Sequence, residues 1–350
     1  MAISIGILNR IVGPDNPCFV IAEAGVNHNG RMELARSLVD AAARVGADAI
    51  KFQTFEAEKL VTTDALKAAY QQETTGDQES QYEMLRRLEL SRDQFHELHD
   101  YCLARKILFL STPFDEDAAD FLDGLGVPAF KVASGDITNL PLITHIAGKG
   151  KPVLLSTGMS YLGEVEAAVR TILGTENRSL ALLHCTSNYP TAPEDANLRA
   201  MHTLSTAFGV PVGYSDHTQG LEISLAAVAL GACMIEKHLT LDRHLPGPDH
   251  QSSIEPVEFE AMVKGIRKIE MSLGNGRKEP TANELEIASV ARRSLVAARD
   301  IPIGTILTEE LIEIKRPGTG LSPGQKRFLV GRATREYIRG GEVIMLEKLS

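Results

Sequence analysis

Cysteine is scarce in this 350-residue chain, and its four examples, Cys18, Cys102, Cys185 and Cys233, show no CxxC spacing. That excludes a cysteine-built zinc site and a disulfide framework, and makes a reducing cytoplasm the expected compartment. Positive charge is also lacking: Lys+Arg 36 against Asp+Glu 46 leaves a formal net charge of −10. No broad basic face for nucleic acid or anionic lipid is expected, so any anion must be met by a local site. Long apolar runs are absent too. The longest uncharged one, Ile223 to Ile235, is far short of the roughly 20 residues of a membrane span and reads as a buried helix running into a strand. The opening MAISIGILNRIVGPDNP has neither the charged nor the apolar region of a secretory signal.

What remains is an ordinary globular composition, 43% hydrophobic and 23% charged, enough for a sizeable core. The length allows one large domain plus a small one. From Pro17 to about Gly274 one pattern recurs: a β-branched run ending in polar residues, a loop, then a stretch of helical period. The strand candidates are 18–25, 49–55, 107–114, 129–135, 152–158, 179–187, 210–217 and 233–240. Eight βα units over about 260 residues predict a closed (β/α)8 TIM barrel. A doubly wound open sheet shows the same alternation, but polar residues close every run, and only a barrel gathers all those ends at one mouth. One long connection, Glu56 to Ser91, has the length of a lid or binding loop. We place the barrel at residues 1–275, a Gly/Pro/polar linker at 276–288, and a small β-rich domain with tight GTG and GG turns at 289–350.

Chemistry is concentrated at the strand ends. Lys51 and Lys131 lie inside apolar strands, where an unpaired ammonium is costly, so each needs an anionic partner. That partner is either an interior carboxylate, Glu23 or Glu236, or a bound phosphate or carboxylate helped by Ser134, Ser156 and Ser215 and nearby glycines. His217 in SDHT and His238 in EKHLT end the last two runs. Parallel neighbours about 4.8 Å apart can bring two imidazoles to one divalent ion such as Mn2+, which would polarise a carbonyl. Glu23 is a general acid/base or the counter-ion of Lys51. Asp249 and Tyr189 lie in loops overhanging the same mouth, or serve as turn chemistry.

Taken together, AEAGVNHNG, KFQTF, STPFDE, KVASGD, LSTGM, HCTSNYPT, GYSDHT, EKHLT, PGPDHQSS and KRPGTGLSP resemble the sialic acid synthases over nearly the whole chain. That family condenses phosphoenolpyruvate with an N-acetylated mannosamine-type sugar. The resemblance implies a (β/α)8 barrel followed by an antifreeze-protein-like (SAF, β-clip) domain, and a domain-swapped homodimer in which the small domain of one chain covers the other chain's barrel mouth. It implies that His217 and His238 hold Mn2+, with Mg2+ or Co2+ as substitutes. Lys51, Lys131, Ser134, Ser156 and Ser215 would surround phosphoenolpyruvate, with Thr112 and Phe114 lining its site. Gln53, Tyr189 and Asp249 would meet the sugar, Arg316 would reach its N-acetyl group from the partner chain, and Glu23 would act as acid/base.

Two departures touch the site. Asp136 stands where some members have Glu, one methylene longer, so its expected catalytic role is in question. Ser187 followed by Asn188 stands where some have Asn directly after HCT, which unsettles the phosphate contact from that strand. The reading leans to N-acetylneuraminate synthase, with legionaminic acid synthase, acting on 2,4-diacetamido-2,4,6-trideoxymannose, as the alternative. A Schiff-base aldolase using Lys131 and a non-catalytic carbohydrate- or ice-binding protein complete the field.

Overall fold

The β-branched runs become eight parallel strands in a computed structural model, which describes residues 4–76 and 78–350. A short antiparallel hairpin comes first, β1 (Ile5–Ile7) and β2 (Arg10–Val12). There follow β3 (Phe19–Gly25), β4 (Ala49–Thr54), β5 (Leu108–Pro113), β6 (Phe130–Val132), β7 (Val153–Ser156), β8 (Leu180–Cys185), β9 (Val212–Asp216) and β10 (Met234–His238). Their lateral order is β5-β4-β3-β10-β9-β8-β7-β6, every ladder parallel. Chain order thus runs unbroken around a ring, with β5 and β6 side by side at the seam. An open doubly wound sheet would reverse its order at a switch point, and none occurs.

Strand side chains alternate, and the two sets go to different cores. Outward residues such as Val20, Ala22, Ile50 and Phe52 pack with the buried faces of the surrounding helices. The helix Met32–Arg44, for example, contributes Ala35, Leu38, Val39, Ala41 and Ala42. Inward residues Phe19, Ile21, Ala49, Leu110, Ala129, Leu154, Ala181, Leu183 and Met234 form a second cluster inside the barrel. The hairpin joins that cluster through Ile5, Ile7 and Val12, so it closes the end of the barrel opposite the strand C-termini. Three-residue strands carry too little pattern to be read from the sequence, and the hairpin is an addition to the expected architecture.

Continuing the same inward parity toward the strand C-termini, the apolar layers give way to Glu23, Lys51, Thr112, Lys131, Ser156, Cys185, Ser215 and Glu236. The long connection after β4 is ordered, with helices Ala57–Leu60, Ala69–Thr75 and Gln81–Leu88. Met84 and Leu88 pack on Val26 and Phe55 in a cluster of their own.

The chain divides into two units, one up to Gly274 and one over Asn275–Ser350. In the second, β11 (Ser294–Ala297) and β12 (Ile312–Lys315) pair antiparallel, and Leu295, Ile301, Leu307, Ile312, Leu329, Ile338 and Ile344 form the core. The segment 276–288, read as a linker, holds the start of a helix, Ala282–Ala291. Thr281 caps it, its hydroxyl accepting from Glu284 N at 3.3 Å, and Ala, Glu and Leu in its body are strong helix formers. Among the described residues no helix is long and apolar enough to cross a membrane.

Candidate active site

A cavity of about 330 Å3 opens at the C-terminal ends of the barrel strands. It is lined by Glu23, Lys51, Gln53, Thr112, Phe114, Lys131, Ser134, Ser156, Ser187, Tyr189, Ser215, His217 and His238, each singled out in the sequence. Two larger grooves measure about 730 and 820 Å3; the first shares Met159, Cys185 and Ser187 with the cavity, and neither is lined by Lys51 or Lys131. The chemistry, not the volume, marks the smaller one.

Its floor is a chain of buried charges. Lys51 Nζ lies 2.8 Å from Glu23 Oε2 and 3.7 Å from Glu236 Oε2, and donates to Thr112 Oγ1 at 3.1 Å. Lys131 Nζ lies 3.6 Å from Glu236 Oε1. Burial disfavours the Lys51 ammonium, but Glu23 and Glu236 outweigh it and hold its pKa above the ordinary value. For Lys131 burial wins and the pKa falls. Glu236 is held below the usual carboxylate range: burial opposes this, but Lys131, Lys51 and the hydroxyl of Ser215, which donates to Oε1 at 2.8 Å, prevail. Glu23 goes the other way, its pKa raised by burial despite Lys51. The two carboxylates therefore divide into a fixed anion and a group that exchanges a proton more readily.

Beside Lys131 the wall is made of hydroxyls and glycines. Ser134 Oγ accepts from Gly158 N at 3.0 Å and contacts Cys185 Sγ at 3.1 Å. A Cβ at Gly158 would fall on Ser187 Oγ and within 2.8 Å of Ser134 Oγ. Ser156 Oγ is buried without a protein partner. A lysine with incomplete compensation, an unpartnered hydroxyl and a glycine-lined approach form a pocket for a small anion.

Across the cavity, Gly25 sits at a register shift in β3, in a left-handed conformation with φ 51°. Its missing Cβ leaves room for Gln53, Glu23 and Asp249, all within 3.6 Å of where that Cβ would be. Gln53 donates to Glu23 Oε1 at 3.1 Å. Asp249 is buried and its pKa is raised to about 7 by desolvation, with Glu23 adding to the effect.

The imidazoles of His217 and His238 have ring centroids 5.5 Å apart, and the Tyr189 ring lies 4.2 Å from the first and 5.7 Å from the second. His217 Nδ1 is 2.7 Å from Thr186 O, an acceptor that fixes the proton on Nδ1 and leaves Nε2, 3.5 Å from Ser215 Oγ, with its lone pair. His238 Nδ1 is buried with no hydrogen-bond partner. Burial lowers both pKa values, keeping the rings neutral. Among the described residues no three His, Cys, Asp or Glu side chains converge on one point. Two neutral imidazoles beside an open cavity fit an ion that also takes oxygen from water or substrate, and do not fit a closed structural cage.

Four expected residues lie apart from the cavity lining. Asp136 ends the 3-10 turn Ser134–Asp136 and is paired with Asn139. Asn188 is exposed, its carbonyl accepting from Thr191 Oγ1 at 2.8 Å. Asp249 stands behind Gly25, with Oδ2 4.0 Å from His238 Nδ1. Arg316 belongs to the second unit, where it is exposed. Conversely, Glu236, named in the sequence only as a partner for the lysines, and Cys185, Met159 and Tyr70, not singled out there, line the cavity. Strand parity alone, two residues before His238 and two before Ser187, identifies the first two.

Comparison with known proteins accords with this geometry. Residues 38–278 match the NeuB family and residues 292–350 match the SAF domain. The N,N'-diacetyllegionaminic acid synthase of Legionella pneumophila is 46% identical over 96% of both chains. The enzyme of that name from Campylobacter jejuni is also 46% identical, over 91% of this chain and 96% of its own. A crystal structure of N-acetylneuraminic acid synthetase from Leptospira borgpetersenii, in complex with citrate, superposes with a TM-score of 0.73 at 39% identity, covering 82% of this chain and 95% of that one. The family match over residues 38–278, with relatives 46% identical over more than nine-tenths of the chain, makes the chain a member of the NeuB family of sialic acid synthases, with a SAF domain at its C-terminus.

Proposed function

We propose that the protein condenses phosphoenolpyruvate, water and 2,4-diacetamido-2,4,6-trideoxymannose to give N,N'-diacetyllegionaminate and phosphate. The sequence lean toward N-acetylmannosamine gives way because two relatives at 46% identity bear the legionaminic name. The observation that carries the reaction type is the pair of buried lysines sharing Glu236 beside an unpartnered Ser156 hydroxyl.

Lys131, Ser134, Ser156 and Ser215 would hold the phosphate and carboxylate of phosphoenolpyruvate, with Lys51, Thr112 and Phe114 completing its pocket. Gln53, Tyr189 and Asp249 would orient the open-chain sugar so that its aldehyde carbon meets C3 of the enol. His217 and His238 would hold a divalent ion, most simply Mn2+, which when bound supplies Lewis acidity to the aldehyde oxygen. As the C–C bond forms, positive charge develops at C2, and Glu236, anionic throughout, faces it. Glu23, in its ionised form, takes a proton from the water that adds at C2, and that proton balances the one gained by the alkoxide left on the former aldehyde carbon. Collapse of the tetrahedral adduct breaks the C–O bond while the C2 hydroxyl gives up its proton to the departing phosphate, which Lys131 steadies. In this reading Arg316 of a second chain reaches the acetamido group of the acceptor, within a domain-swapped homodimer.

Phosphate release from phosphoenolpyruvate, measured with each sugar in turn, tests the assignment. Faster turnover of the diacetamido sugar supports it, while preference for N-acetylmannosamine restores the neuraminate reading. The depressed pKa of Lys131 favours a second reading, a Schiff-base aldolase. Borohydride trapping of pyruvate on Lys131 would establish that chemistry instead.

A further inference from the structure

The long connection after β4 contributes a residue to the cavity that the proposed reaction does not use. Tyr70 lies on the helix Ala69–Thr75, lines the cavity, and packs its ring on Tyr189 at a centroid distance of 5.0 Å. Its position depends on an unusual buried cation. Lys67 is 6% exposed, and its Nζ donates to Thr75 Oγ1 at 2.8 Å, Gly76 O at 2.9 Å and Glu79 Oε1 at 3.0 Å. It therefore ties both ends of the helix to the following turn. Thr74 Oγ1 reaches Pro248 O at 3.4 Å, joining the helix to the loop that carries Asp249.

The rim so formed differs in chemistry from the floor. Besides the half-buried Tyr70 and Tyr189, the cavity lining includes the uncharged Ala68, Phe114 and Met159, while the buried carboxyl of Asp249 lies near enough to both tyrosines to raise their pKa values after burial itself. Below them lie the lysines, each 4% exposed along its side chain, and the carboxylates, 3% and 6% exposed. A rim of aromatic and aliphatic surface favours a ligand whose outer end is a methyl or an acetamido methyl, and gains little from a hydroxymethyl that keeps its water.

We propose that Tyr70, held in place by Lys67, is a specificity-determining residue for the acceptor, selecting a 6-deoxy, acetamido-bearing sugar by packing against its apolar end. This rests on the acceptor site proposed above, with the enol on the lysine floor and the sugar beside Tyr189. The buried ammonium explains why a segment so polar in sequence is ordered at the cavity edge, and the stack on Tyr189 explains why its one aromatic helix residue points inward.

The test is calorimetric binding of each acceptor sugar to the full-length protein, wild type and Tyr70→Ala, alongside kcat/KM for both. The expected result is that Tyr70→Ala weakens the diacetamido-deoxy sugar about 5-fold more than N-acetylmannosamine, the scale of one aromatic contact. Tyr70→Phe should recover most of that ratio, and Lys67→Met, which frees the helix, should lose it. Equal weakening of both sugars, weakening of neither, or no binding of either to the wild type overturns the proposal. Absence of phosphate release by the wild type with both sugars would instead overturn the proposed reaction, and the binding ratio would still decide the role of Tyr70.

Discussion

Glu23 and Lys51 form a buried pair, Oε2 to Nζ 2.8 Å, on adjacent strands whose register sets them side by side. Removing one partner leaves the other charge without compensation on a cavity floor where the two side chains are only 4% and 3% exposed. Lys51→Met should therefore cost about 3–5 kcal/mol of stability. The double variant Glu23→Gln/Lys51→Met should cost clearly less than Lys51→Met alone. Urea unfolding of the three variants checks this, and additive losses would show that the pair is not coupled.

Gly158→Ala tests the anion pocket without touching a charge. The new methyl would fall on Ser187 Oγ and press Ser134 Oγ and Cys185 Sγ, so both hydroxyls must shift. KM for phosphoenolpyruvate should rise about 10-fold or more while the acceptor KM changes little. A variant with unchanged kinetics would show that these hydroxyls do not contact the enol.

Metal dependence has its own test. Chelation should abolish phosphate release and Mn2+ should restore it to the wild type. His217→Ala and His238→Ala should each lose at least about 100-fold, with little restoration at saturating Mn2+. Full activity after exhaustive chelation would remove the ion from the mechanism.

A pH effect on stability arises away from the cavity floor, at His28 and His250. Burial lowers the pKa of each from 6.5 to about 4, His250 adding to the effect on His28. Gly30 N donates to His28 Nδ1 at 3.1 Å, a bond that only the unprotonated nitrogen accepts. The unfolded chain binds protons at these positions first, so stability is full above pH 6.5 and falls as the pH drops toward 4. His28→Gln should flatten that slope in melting temperatures taken from pH 7 to pH 4. An unchanged slope would place the acid sensitivity elsewhere.

The swapped dimer proposed above predicts complementation. Arg316→Ala and Lys131→Ala should each be nearly inactive as homodimers. Refolded together, they should recover activity in the mixed dimer that pairs an intact mouth with an intact arginine. Absence of recovery in a verified mixed dimer would show that Arg316 does not act across chains.

Most of this site was legible because strand parity is a strict rule. Along single strands, Gln53 follows from Lys51, Ser215 from His217 and Glu236 from His238 by counting in twos. Asp136 escaped that logic: β6 ends at Val132, and the 3-10 turn after it takes the side chain off the lattice. Tyr70 was illegible for another reason. Its placement depends on the contacts of Lys67 with residues up to 12 positions away, and no local period encodes them. The helix Ala282–Ala291 was concealed by the Gly/Pro-rich stretch before it, although its capping box was present in the letters.

The N-terminal hairpin also has a bearing on turnover. Ile5, Ile7 and Val12 extend the packed apolar layers that fill the barrel interior, so the cavity above them has a single opening, at the mouth. The lysine floor is then the far wall, and the tyrosine rim the doorway. A ligand seated on the floor must enter before one that occupies the doorway, and it cannot depart until the doorway clears. The packed bottom thus imposes an order on events at the top, which product-inhibition patterns would display as enol first and acceptor second.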